Sequence, residues 1–149
     1  HGVSFADIDN DGDQDIYHEL GGAYDGDWYP NVLFENPGHG NGWVTLRLRG
    51  PGANPSAIGA RVAMRLATPD GPRQLHRVVG SGGSFGANSL QVEVGLGDAT
   101  AVEGVLVRWP GATADESFAG VEPGAIWALE AGTGSARRVE QPAFRLGGG

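Results

Sequence analysis

The chain has 149 residues, no Cys and a formal net charge of −8. That length supports one domain with a real core, and the missing Cys removes disulfides, Cys-metal sites and thiol catalysis together. Nine acids and no Arg fall in residues 1–37, a local charge of −9, while residues 38–149 hold nine acids against ten Arg; neither segment offers the basic face that nucleic acid requires.

Gly occupies 27 of 149 positions, more than twice the usual ~7%. These glycines follow no collagen period. With many Val and one Met, they point to an all-β chain of tight turns. No apolar run is long enough for a membrane span. The chain begins with His1 rather than Met, which reads as a processed product or a piece of a longer chain. All ten basic residues are Arg, for which there is no physical account.

In chain order, the first signal is Asp7-Ile8-Asp9-Asn10-Asp11-Gly12-Asp13-Gln14-Asp15. Carboxylates this close repel and raise one another's pKa unless a cation joins them. Calcium takes 6–8 oxygens at about 2.3–2.6 Å and suits i, i+2, i+4 spacing on a curling loop. Asp7, Asp9 and Asp11 are expected to turn inward, Asp13 to offer its backbone carbonyl, and Asp15 to close the loop. Gly12 stands where the bend is sharpest. An EF-hand would need Glu at the twelfth position, yet His18 stands there and Glu19 follows one residue late. The flanks, Val3-Ser4-Phe5-Ala6 and Ile16-Tyr17, read as strands, so a strand–loop–strand calcium site is expected. The bland alternative is a solvated acidic turn.

Residues 1–37 thus form a hairpin unit, with a Gly-rich turn at 21–26 and a further strand at 31–36. The unit is too small to bury its own core and must dock on something. Asp27, in Tyr24-Asp25-Gly26-Asp27-Trp28, is a possible further metal ligand; Asp25 reads as part of a hydrated turn.

From Trp43 the pattern becomes period-two. Strands are expected over 43–49, 58–66, 74–79, 90–96, 105–109 and 126–130, with a turn at Pro69-Asp70-Gly71-Pro72. Six strands at this spacing predict a β-sandwich or Greek-key barrel over 38–131. Residues 132–149 read as a flexible C-terminal tail, or as an added strand that pairs with a sheet edge of this chain or a neighbour.

Three other groups invite chemistry. Ser81-Gly82-Gly83-Ser84-Phe85-Gly86 lacks the following helix that a nucleophile elbow or phosphate cradle needs, so it reads as a loop. His1, His18, His39 and His76 raise a copper site as a minor alternative. Trp109 and Trp127 lie in strands and read as core; Trp28-Tyr29 reads as an exposed aromatic pair suited to a ligand surface.

Val3–Asp15, read V-S-F-A-D-I-D-N-D-G-D-Q-D, resembles the FG-GAP/VCBS repeat of integrin-like propellers. Residues 41–130 resemble the ASPIC/UnbV domain, which follows such repeats in bacterial secreted proteins and cartilage acidic protein-like chains. The motifs are 43–50, Ala57-Ile58-Gly59-Ala60-Arg61-Val62, 81–86, Val94-Gly95-Leu96-Gly97-Asp98-Ala99 and Val107-Arg108-Trp109-Pro110. The resemblance implies a calcium site at Asp7, Asp9, Asp11, Asp13 and Asp15, and an extracellular or periplasmic, non-catalytic module. Only one repeat is present, whereas a propeller needs several blades.

The expectation is therefore a calcium-stabilised extracellular binding or adhesion module that takes a protein or glycan ligand. The alternatives are a subunit that assembles with copies of itself through the tail or the lone blade, and a copper enzyme or an enzyme's accessory domain.

Overall fold

The computed structural model describes residues 2–83 and 85–146. Eleven strands form and no helix appears among the described residues. The hairpin unit contains β1 (Val3–Ala6), β2 (Asp15–His18) and β3 (Val32–Phe34), paired antiparallel in that order. The front sheet uses β4 (Gly42–Arg49), β7 (Val92–Gly97), β10 (Ala125–Glu130) and β11 (Ala136–Val139), in the order β11-β10-β4-β7. The back sheet uses β5 (Arg61–Thr68), β6 (Gly71–Val78), β8 (Ala101–Arg108) and β9 (Glu116–Phe118), in the order β6-β5-β8-β9. The two larger sheets stay open and form a sandwich, not a closed barrel.

Alternation dictates this arrangement. Successive side chains in a strand point to opposite faces, so Val44 and Leu46 of β4 and Val92, Val94 and Leu96 of β7 share one buried face. Val62, Met64 and Leu66 of β5, with Val105 and Val107 of β8, meet them from the back sheet. Trp109 and Trp127 are buried as expected, and Trp109 meets Phe118 edge-on at 6.4 Å between ring centroids. Phe118 is the one inward residue of the short β9, a strand the periodicity did not reveal.

The C-terminal segment differs from the flexible-tail expectation. β11 pairs antiparallel with β10 of the same chain, from Ile126↔Val139 to Leu129↔Ala136. The glycines before it are gripped rather than loose. Glu116 accepts hydrogen bonds from Gly132 N at 3.0 Å, Gly134 N at 2.8 Å and Trp109 Nε1 at 2.6 Å. Burial alone would raise the Glu116 pKa, but these donors hold it below the usual range. One carboxylate therefore ties β9, the Trp109 ring and the turn into β11 together.

The hairpin unit docks in part on the connection between β6 and β7. Residues 85–88 of that connection run along the free edge of β1. Phe85 O accepts from Val3 N at 3.0 Å and Asn88 Oδ1 from Phe5 N at 3.0 Å. Gly86 is needed for this approach, since a Cβ there would lie 2.3 Å from Val3 O, and its φ is +142°. The Ser81–Gly86 motif is thus a docking strip for β1, with Ser84 outside the described residues. It also occupies an edge that would otherwise present unpaired backbone groups.

Phe118→Ala is expected to destabilise the sandwich by about 3–5 kcal/mol. Chemical denaturation should show the same loss with calcium and with chelator, because Phe118 is remote from the acidic loop; a loss confined to one condition would contradict the separation.

Candidate metal centre

Residues 7–15 join β1 to β2, and their backbone curls twice through the left-handed region. Asn10 has φ 62° and Gly12 has φ 101°. Asn tolerates that region and Gly is free in it. Gly12 carries a second constraint: a Cβ there would lie 1.9 Å from Trp43 Cε2, so the loop rests directly against the Trp43 ring. Trp43 stands just inside a register shift of β4 against β7, between Gly42 and Trp43, on the strand face opposite Val44. Such irregularities re-aim side chains. The acidic loop therefore lies over the outer face of the front sheet.

The turned loop gathers its carboxylates. One oxygen from each of Asp7, Asp9 and Asp11 lies within 4.8 Å of the others, about the span of two opposed Ca–O bonds. Asp9 is only 4% exposed. Asp7 Oδ1, Asp9 Oδ1 and Asp13 Oδ1 are buried and accept no hydrogen bond. A buried ionised oxygen with no partner is costly, and a cation of hard-oxygen preference is the group this donor set fits.

The other oxygens brace the loop. Asp7 Oδ2 accepts from Gly12 N at 3.1 Å, and Asp11 Oδ1 from Asp13 N at 3.1 Å. Asp15, 1% exposed, accepts from Ile8 N at 3.0 Å and Asn36 N at 2.9 Å. Asp15 thus ties the start of the loop to the segment after β3. Asp13 differs from the backbone-carbonyl expectation in presenting a buried side-chain oxygen as well. Asp27 stands apart: its Oδ2 accepts from Ala23 N at 3.3 Å and caps its own turn.

Electrostatics follow from the packing. Burial raises the Asp7 pKa from 3.8 to about 6, aided by the Asp11 and Glu93 charges and opposed by the Gly12 hydrogen bond. Asp9 and Asp13 are raised as well, by burial first and then by Asp11 and Asp15.

Two features escaped the sequence reading. Glu93, on β7, accepts from Gln14 Nε2 at 2.6 Å, and its Oε1 is buried without a hydrogen bond. The C-terminal segment crosses the loop from the other side: Phe144 N donates to Asp9 O at 2.9 Å, and Gln141 bonds both Asn10 and Arg47. No alternation or motif marks either.

The described histidines do not converge. His18 lies on β2 and His76 on β6, while His39 sits near enough to lower the Asp13 pKa by its charge. His1 lies outside the described residues. Trp28 and Tyr29 are 84% and 67% exposed on the loop after β2, as the sequence suggests.

The raised carboxylates set a pH dependence. Their folded pKa values exceed the unfolded one, so the folded state binds more protons and stability falls as pH rises from about 4 through about 6. The contribution of Glu116, held low, is lost only as pH drops below its ordinary 4.5. Circular dichroism melts in chelator should therefore show a higher midpoint at pH 5 than at pH 7. Saturating calcium should reverse the order, because protons and calcium compete for the same oxygens. A chelated midpoint that rises from pH 5 to pH 7 would refute the repulsion.

Comparison with known proteins places the sandwich. No curated protein matches the chain. The family model described as ASPIC and UnbV matches residues 50–136, from the end of β4 to the first residue of β11. That match covers more than half of the sequence, and the chain belongs to the ASPIC and UnbV family.

Proposed function

We propose that this chain is a calcium-stabilised, non-catalytic binding module of the extracellular space, in which residues 1–37 are an FG-GAP/VCBS-like repeat carried on the ASPIC/UnbV sandwich of residues 38–131. The carrying observation is the set of three buried carboxylate oxygens, on Asp7, Asp9 and Asp13, that accept no hydrogen bond. A calcium ion supplies the positive charge that lets such oxygens remain ionised side by side. Asp7, Asp9, Asp11 and Asp13 would hold it, and Asp15 would keep the loop closed around it. Weak loops of this kind suit the millimolar calcium found outside cells.

The ligand of the module would be a protein or glycan surface. The exposed Tyr24, Trp28 and Tyr29 beside Asp25 offer aromatic faces with acidic neighbours, a combination that suits sugar stacking or a polar protein surface. A second reading, association with another blade or copy, draws on a different observation. Val3 and Phe5 of β1 share a face with Phe34 of β3 by register, and all three stay exposed. The tail gives that reading no support, since β11 already pairs within its own sheet.

Melting curves with calcium and with EDTA, beside size exclusion in both, test the proposal. Calcium binding only the folded state should add ~2.7 kcal/mol at a hundredfold excess over Kd. Asp9→Asn and Asp11→Asn should melt alike in calcium and in EDTA. A melt that ignores chelation would remove calcium from the account.

A further inference from the structure

We propose that Glu93 is the sandwich's own arm of the cation site, so that one ion is held from the acidic loop and from β7 together and joins the hairpin unit to the front sheet. The inference rests on the calcium reading of the loop.

Glu93 lies mid-strand on β7, directly opposite Thr45 of β4. Val92 and Val94 point into the core, so Glu93 points out of the sandwich, where an acidic side chain would ordinarily extend into water. Here it does not. It lies in the cleft lined by Asp11, Gly12, Asp13, Gln14 and Trp43. Oε2 accepts from Gln14 Nε2 at 2.6 Å, and Oε1 is buried with no hydrogen bond.

The Gln14 contact alone does not explain this position. It satisfies one oxygen and leaves the other buried beside like charge, a net cost. Calcium asks for 6–8 oxygens, more than the converging atoms of Asp7, Asp9 and Asp11 supply. A further carboxylate, reaching the ion directly or through one bound water, relieves the repulsion and extends the coordination. It comes from a different sheet, so filling the site ties together segments 79 residues apart, as Gln14 and Glu93 are.

The test is calorimetric titration of calcium chloride into the full chain, with melts of the same proteins. Glu93→Gln keeps an acceptor for Gln14 and removes the charge; Glu103→Gln, on the back sheet and paired with Arg65, is the control. Glu93→Gln should weaken calcium binding about tenfold or more, and Glu103→Gln should not. The melts separate a ligand from a merely structural residue. Glu93→Gln should melt at or above the parent in EDTA, where repulsion has been removed, and below it in calcium. A lower melt in both conditions, or unchanged calcium affinity, would overturn the role of Glu93. If Asp9→Asn loses calcium while Glu93→Gln binds like the parent, the calcium reading stands and this inference fails. If the parent itself binds no calcium, both fall.

Discussion

Carboxylates at alternate positions from Asp7 to Asp15 repel one another, and the contacts around the loop hold them together despite that repulsion. Left-handed Asn10 and Gly12 bend the chain so that the oxygens converge. Asp15 fastens both ends, the Trp43 ring supports the loop from below, and Phe144 and Gln141 cross it from outside. Hydrogen bonds of about 1 kcal/mol each are matched against a cost that grows with every buried charge. The loop is therefore the point at which ionic conditions reach the rest of the molecule.

The sandwich supplies the opposite quality. Its core is built from alternating aliphatics joined by the Trp109–Phe118 pair, and nothing in that core titrates. Burial of this kind is insensitive to pH and cations near neutrality. A rigid platform thus carries a conditional element on its outer face. The residues around the junction, Trp43 and Glu93, belong to the sandwich by chain position and to the loop by contact, while Arg47 reaches it through Gln141.

Much of this was legible from residue order. Period-two alternation marks β4, β5, β7 and β8 because each buries a full face, and the acid alternation marks the loop because charge repulsion leaves little other use for it. β5 begins at Arg61 rather than Ile58, since Ala57 and Gly59 turn the chain with positive φ and leave Ile58 exposed. β9 was hidden because three residues cannot show a period. β11 stayed open in the sequence between a tail and an added strand because Arg137 and Arg138 interrupt any apolar face; it is held by ladder hydrogen bonds and by the grip of Glu116 on the turn before it. Glu93 was invisible for a deeper reason. In its strand it is an ordinary outward residue, and only the docking of a distant loop gives it a task.

The bond between Gln141 and Asn10 spans 131 positions, nearly the whole chain. Such a closure between distant segments carries a large loop-closure entropy cost. A polypeptide cut short before Gln141 loses this latch, and the acidic loop is left without its outer cover. The region whose charge most needs to be held in place is thus covered by a segment 131 positions away.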